Sequence, residues 1–66
     1  MKLVVNGDDT EIDDGASVLD LLTHLGLGPK YVIVERNGEP VERRDVTTTT
    51  LAEGDRIELV KAVAGG

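Results

Sequence analysis

The residues best placed to take part in chemistry are the last two, Gly65-Gly66. Glycine has no Cβ, so backbone at this pair can pass close to another surface and adopt any φ/ψ. The carboxylate of Gly66 is then the least hindered that a protein can present. The residues before it, Val60-Lys61-Ala62-Val63-Ala64, include no aromatic side chain, so the segment thins into a shape that suits a narrow slot. What such an end offers is its own carboxylate as a reactant.

The other candidates lack the partners their chemistry needs. His24 is the only histidine and the chain has no cysteine. A general base needs a positioned partner, so His24 reads as a surface residue of a helix. The pairs Asp8-Asp9 and Asp13-Asp14 could offer oxygens to a hard cation. Calcium takes about six to eight oxygens at defined spacing, and neither pair sits in such a pattern. Ser17 is accounted for as a helix cap. Gly7, Gly15, Gly26 and Gly28 fall in separate turns and make no phosphate cradle. No catalytic residue, no metal site and no bound cofactor are expected, and without cysteine no disulfide or thiolate site can form.

The charge balance narrows the partners. Thirteen acidic and seven basic residues leave a net charge of −6. Nucleic-acid affinity depends on Lys and Arg neutralising phosphates, so this balance argues against it. Tyr31 is the only aromatic residue, which leaves no platform for stacking bases. An acidic chain suits a basic patch on another protein. The first residues lack the apolar stretch of a signal peptide, and no segment is long enough to span a bilayer. The expectation is a soluble, cytoplasmic protein, monomeric when free.

The elements that must position the end are legible from pattern. Lys2 to Asn6 reads as a strand, Gly7-Asp8-Asp9 as a turn, and Thr10 to Asp13 as the returning strand. Ser17 with Asp20 three residues on gives a variant capping box. Val18, Leu19, Leu21, Leu22 and Leu25 follow at helical spacing, and Gly26 and Pro29 stop the helix, which is predicted over 17–25. Tyr31 to Arg36 is a β-branched strand. Asn37-Gly38 is a hairpin turn, and Pro40 to Arg43 a short edge strand. Thr47 to Thr50 reads as a loop, Gly54-Asp55 as a turn and Arg56 to Val63 as the last strand. This is an α+β domain over 1–63, a mixed sheet of four or five strands covering one helix, followed by a flexible tail, 64–66. The expected core is Leu3, Val5, Val18, Leu22, Leu25, Val32, Val34, Ile57 and Leu59. Strand alternation turns Val4, Ile33 and Val60 to the open face, and with Ala62 they form an expected docking patch leading to the tail.

The whole chain resembles the ThiS family of sulfur carriers. The residues that carry the resemblance are Val34-Glu35-Arg36-Asn37-Gly38-Glu39, Leu51-Ala52-Glu53-Gly54-Asp55 with Ile57-Glu58-Leu59-Val60 after it, and Gly65-Gly66. The four threonines before Leu51 depart from relatives, which often have a bulkier residue there. The resemblance implies the β-grasp fold of ubiquitin. It implies that the chain is a co-substrate rather than an enzyme. A ThiF-like adenylyltransferase would use ATP and magnesium to make an acyl-adenylate at Gly66. A sulfur donor such as a cysteine desulfurase would convert this to a thiocarboxylate, for delivery to a ThiG-like thiazole synthase of thiamin biosynthesis. A carrier for molybdopterin or cysteine synthesis, a modifier forming isopeptide bonds through Gly66, and a regulatory β-grasp domain without sulfur chemistry are the alternatives.

Overall fold

Two Asn-Gly pairs bend the chain into hairpins. In the computed structural model, which describes residues 1–62, Asn6 and Asn37 have φ of 50° and 52°, and the glycines after them 84° and 85°. Positive φ at both central residues is what a two-residue type I′ turn requires, and its twist matches that of the strands it joins. The first pair closes β1 (Lys2–Val5) on β2 (Asp8–Glu11), and the second closes β3 (Val32–Arg36) on β4 (Glu39–Val41). The first turn therefore lies one residue earlier than the Gly7-Asp8-Asp9 expected, and β2 runs opposite β1 with Lys2 facing Glu11 and Val5 facing Asp8. β4 also starts and ends earlier than expected, because Arg43–Asp45 coils into a 3₁₀ turn. Pro40 sits on this edge strand, where its missing N–H costs no ladder bond.

β5 (Arg56–Lys61) is the central strand of the order β2-β1-β5-β3-β4. It is parallel to β1 and antiparallel to β3, which makes the sheet mixed. The α+β expectation of one helix on a mixed sheet of four or five strands holds, with five strands present. Alternation along the strands sends Leu3, Val5, Val32, Val34 and Ile57 inward, where all five are buried.

α1 (Val18–His24) covers this inner face with Val18, Leu21 and Leu22, all fully buried. Among helix and strand residues the expected core changes at three. Leu21 belongs to it, and Leu25 does not, being 39% exposed. Leu59 is half-buried against the core rather than within it. The reason for Leu25 is the way the helix stops. Gly26 takes φ of 74°, its N–H bonds the Thr23 carbonyl at 3.0 Å, and the Leu27 N–H bonds the Leu22 carbonyl at 2.8 Å. This is a Schellman motif, and it brings half-buried Leu27 against the core in place of Leu25.

The other end of α1 explains the threonine run. The first N–H groups of a helix have no partner within it. Here Val18 N–H donates to the Thr49 carbonyl and Leu19 N–H to the Val46 carbonyl, each at 2.9 Å. Asp20 N–H donates to Ser17 Oγ at 3.1 Å, and Asp20 Oδ2 accepts from Ser17 N–H at 2.9 Å, which is the capping box expected. The threonine loop is held in turn by Asp45, whose carbonyl accepts from Thr49 Oγ1 at 2.7 Å. It delivers Val46 and Leu51, both buried, to the core.

Candidate functional site

The segment that leads to Gly65-Gly66 starts from the most firmly held strand of the sheet. β5 pairs with β1 at Arg56 and Ile57 and with β3 from Ile57 to Lys61. Beyond the end of β1, Asn6 continues the pairing with its side chain. Its Oδ1 accepts from the Leu59 N–H at 2.8 Å and its Nδ2 donates to the Leu59 carbonyl at 3.3 Å. At the far end, the Ala62 N–H donates to the Tyr31 carbonyl at 2.8 Å. Val63, Ala64, Gly65 and Gly66 lie outside the described residues, and with them the expected tail and the last residue of the expected strand.

The start of β5 is fixed by a buried carboxylate. Asp55 Oδ2 accepts from Arg36 Nε and from the Ala52 N–H, both at 2.8 Å, and Oδ1 accepts from Asn37 Nδ2 at 3.0 Å. Asn37 Oδ1 in turn accepts from the Arg56 N–H at 2.9 Å. Burial by itself pushes the Asp55 pKa up. The hydrogen bonds from Asn37, Ala52 and Arg36, with the Arg36 charge, outweigh it and hold the carboxyl below its ordinary value. Asp55 thus ties the Arg36-Asn37 turn to the Ala52–Asp55 turn. Sequence reasoning singles out both segments and misses this link. A signal is available, since an aspartate before a strand beside an arginine and an asparagine can serve each as acceptor.

On the open face the structure brings together only part of the expected patch. Ile33 and Val60 stand directly opposite each other on β3 and β5, 55% and 59% exposed. Such partners have Cβ atoms about 4.5–5.5 Å apart, so they form one apolar surface. Ala62 is half-buried and lies one row further along, beside Tyr31. Val4 does not join them. It is only half-exposed and pairs with Arg56, four residues before Val60, so about 13 Å of strand separates the two. Tyr31 is 59% exposed, but it ends the 3₁₀ turn Pro29–Tyr31 and lies outside β3.

The remaining candidates stay apart. His24 is exposed in the last turn of α1. Ser17 is engaged as the helix cap. Among the described residues no three His, Cys, Asp or Glu side chains are grouped to hold a metal, and no helix is long and apolar enough to cross a membrane.

Comparison with known proteins accords with this geometry. A match to the ThiS family covers residues 3–66. The sulfur carrier protein ThiS of Bacillus subtilis is 38% identical over 65 residues, spanning 97% of this chain and 98% of that one. A thiazole synthase of Paramagnetospirillum magneticum is 36% identical over 66 residues, which is all of this chain and 20% of the synthase. The chain therefore spans about a fifth of the length of that relative. The crystal structure of the thiamine biosynthesis protein ThiS from Geobacter metallireducens superposes with a TM-score of 0.84 at 38% identity, with both chains covered completely.

Proposed function

This chain belongs to the ThiS family, and from that premise we propose that it is a sulfur carrier of thiamin biosynthesis, activated at the carboxylate of Gly66. The observation that carries the reading is where β5 leads. The strand is paired on both sides, the outer surface there bears Ile33 and Val60, and the sequence continues from it into Gly65-Gly66. A fixed root, an apolar landing surface and a side-chain-free end are what an enzyme needs in order to grip a carrier and enclose its terminus.

The chemistry follows from the weakness of a carboxylate as an electrophile. A ThiF-like adenylyltransferase with ATP and magnesium lets a Gly66 carboxylate oxygen attack the α-phosphorus, and pyrophosphate leaves. The acyl-adenylate now has a good leaving group. The outer sulfur of a persulfide, supplied by a donor such as a cysteine desulfurase, displaces AMP. A thiol reductant then cleaves the acyl disulfide and leaves the thiocarboxylate. Held in a thiazole synthase, this sulfur is a nucleophile at high effective concentration. The carrier contributes position: β5 sets where the tail starts, and the bare backbone of Gly65-Gly66 fits a slot that a Cβ would crowd. The similarity to thiazole synthases favours the thiazole pathway over molybdopterin or cysteine synthesis.

Intact mass spectrometry tests the reading. After incubation with the adenylyltransferase, ATP, magnesium and the persulfide donor with reductant, the chain should gain the mass difference between sulfur and oxygen. Addition of the thiazole synthase and its substrates should return it to the starting mass. A chain whose mass never changes is not a carrier.

A further inference from the structure

We propose that Glu35 and Glu58 form a receptor for one arginine or lysine of the adenylylating partner, an inference that rests on the carrier reading above. The two residues are direct opposites on β3 and β5, and both are exposed. Like charges in this position repel, so the pair destabilises the free domain. Among the described residues neither has an ion-pair partner within 4.0 Å. Their surroundings do not relieve them. Pro40, opposite Glu35 on β4, carries no charge. On the β1 side, the Asn6 amide is spent on the Leu59 backbone. Arg36 is committed to Asp55, and Arg56, the next outward residue of β5, bridges neither glutamate.

The next row on the same face is the apolar pair Ile33 and Val60. Two residues along a strand is about 6.6–6.8 Å, within the reach of an extended lysine or arginine side chain. Such a side chain lying along β3 and β5 would rest its methylene stem on Ile33 and Val60 and set its charged head between the carboxylates. The occupant is a basic protein rather than a second copy, because two chains of net charge −6 repel. It is the adenylylating partner because the apolar row leads on toward the tail that this enzyme must enclose.

The repulsion makes the proposal testable by an inverse relation between stability and activation. Three full-length chains are compared for Tm and for ATP–pyrophosphate exchange with the adenylyltransferase: the parent, Glu58→Gln and Glu58→Lys. Removing the repulsion should raise Tm by a few degrees in Glu58→Gln, and further in Glu58→Lys, where Lys faces Glu35. KM for the carrier should move the opposite way. It should rise roughly ten-fold or more in Glu58→Gln, as expected when a charge-assisted hydrogen bond is removed from an interface, and further in Glu58→Lys. The change should fall on KM rather than kcat, and the parent's KM should rise more steeply with salt than that of Glu58→Gln. An active parent with unchanged KM for Glu58→Lys would overturn this proposal and leave the carrier reading standing. A parent that supports no exchange would remove the carrier reading, and the proposal with it.

Discussion

At the scale of single residues, Asp55 and Val60 have opposite duties. Asp55 is buried with three donors around it, and Asp55→Asn would set an amide NH₂ against one of them. The loss should be about 1–3 kcal/mol in urea unfolding at neutral pH. Because the folded-state pKa is depressed, the carboxylate's contribution is complete above the unfolded value near 3.8 and is lost as pH falls through the folded one. The gap between parent and variant should therefore close on acidification below that value, and a gap that stayed constant would remove the charge from the account. Val60 faces solvent, so Val60→Asp should melt like the parent. In the complex it would bury a charge without a partner, and adenylation should slow. Normal kinetics would dismiss the Ile33–Val60 surface as a docking site. Val60 and Ile33 are legible from alternation alone. Val4 is over-read, because alternation says which face a residue takes and not how far along the sheet it lies. That distance is set by the β1–β5 register, a pairing across some fifty residues of sequence.

At the scale of elements, the limits of sequence reading lie at the ends. The capping box at Ser17 and Asp20 and the stop at Gly26 are both readable, because each is a local pattern with a local cause. The stripe Val18, Leu21, Leu22 and Leu25 also has perfect helical spacing, yet the Schellman turn withdraws Leu25 from the core and sends in Leu27. Leu21→Ala should cost about 2–5 kcal/mol, a large share of what so small a domain possesses. Leu25→Ala should cost less than about 1 kcal/mol. Equal losses in chemical denaturation would mean that the assigned helix end is wrong. The Thr47 to Thr50 run reads as a plain loop because its role is non-local: the Thr49 carbonyl matters only once it meets the Val18 N–H of α1. The first hairpin shows a different failure. The Asn-Gly signal that marks the second turn is present also at Asn6-Gly7, where the acidic pair beside it draws the turn one residue too far along.

At the scale of the whole molecule, the fold serves to aim one strand. Both hairpins converge on β5, which β1 flanks at its start and β3 along its length. The segments that carry the sequence resemblance, around Arg36-Asn37 and Ala52–Asp55, are joined through the Asp55 carboxylate and so fix the root of that strand. On the proposed carrier reading, the chemistry is left to the partner enzymes and to the Gly66 carboxylate. Reacting atoms must come within about 3–3.5 Å in a fixed alignment, and one added residue shifts the carboxylate by roughly 3.3–3.6 Å. The most direct measurement is therefore ATP–pyrophosphate exchange by the adenylyltransferase with the parent chain and with a chain extended by one alanine after Gly66, alongside their melting curves. The account predicts identical melting, exchange with the parent and none with the extended chain. An extended chain that is adenylated at the parent's rate would contradict it.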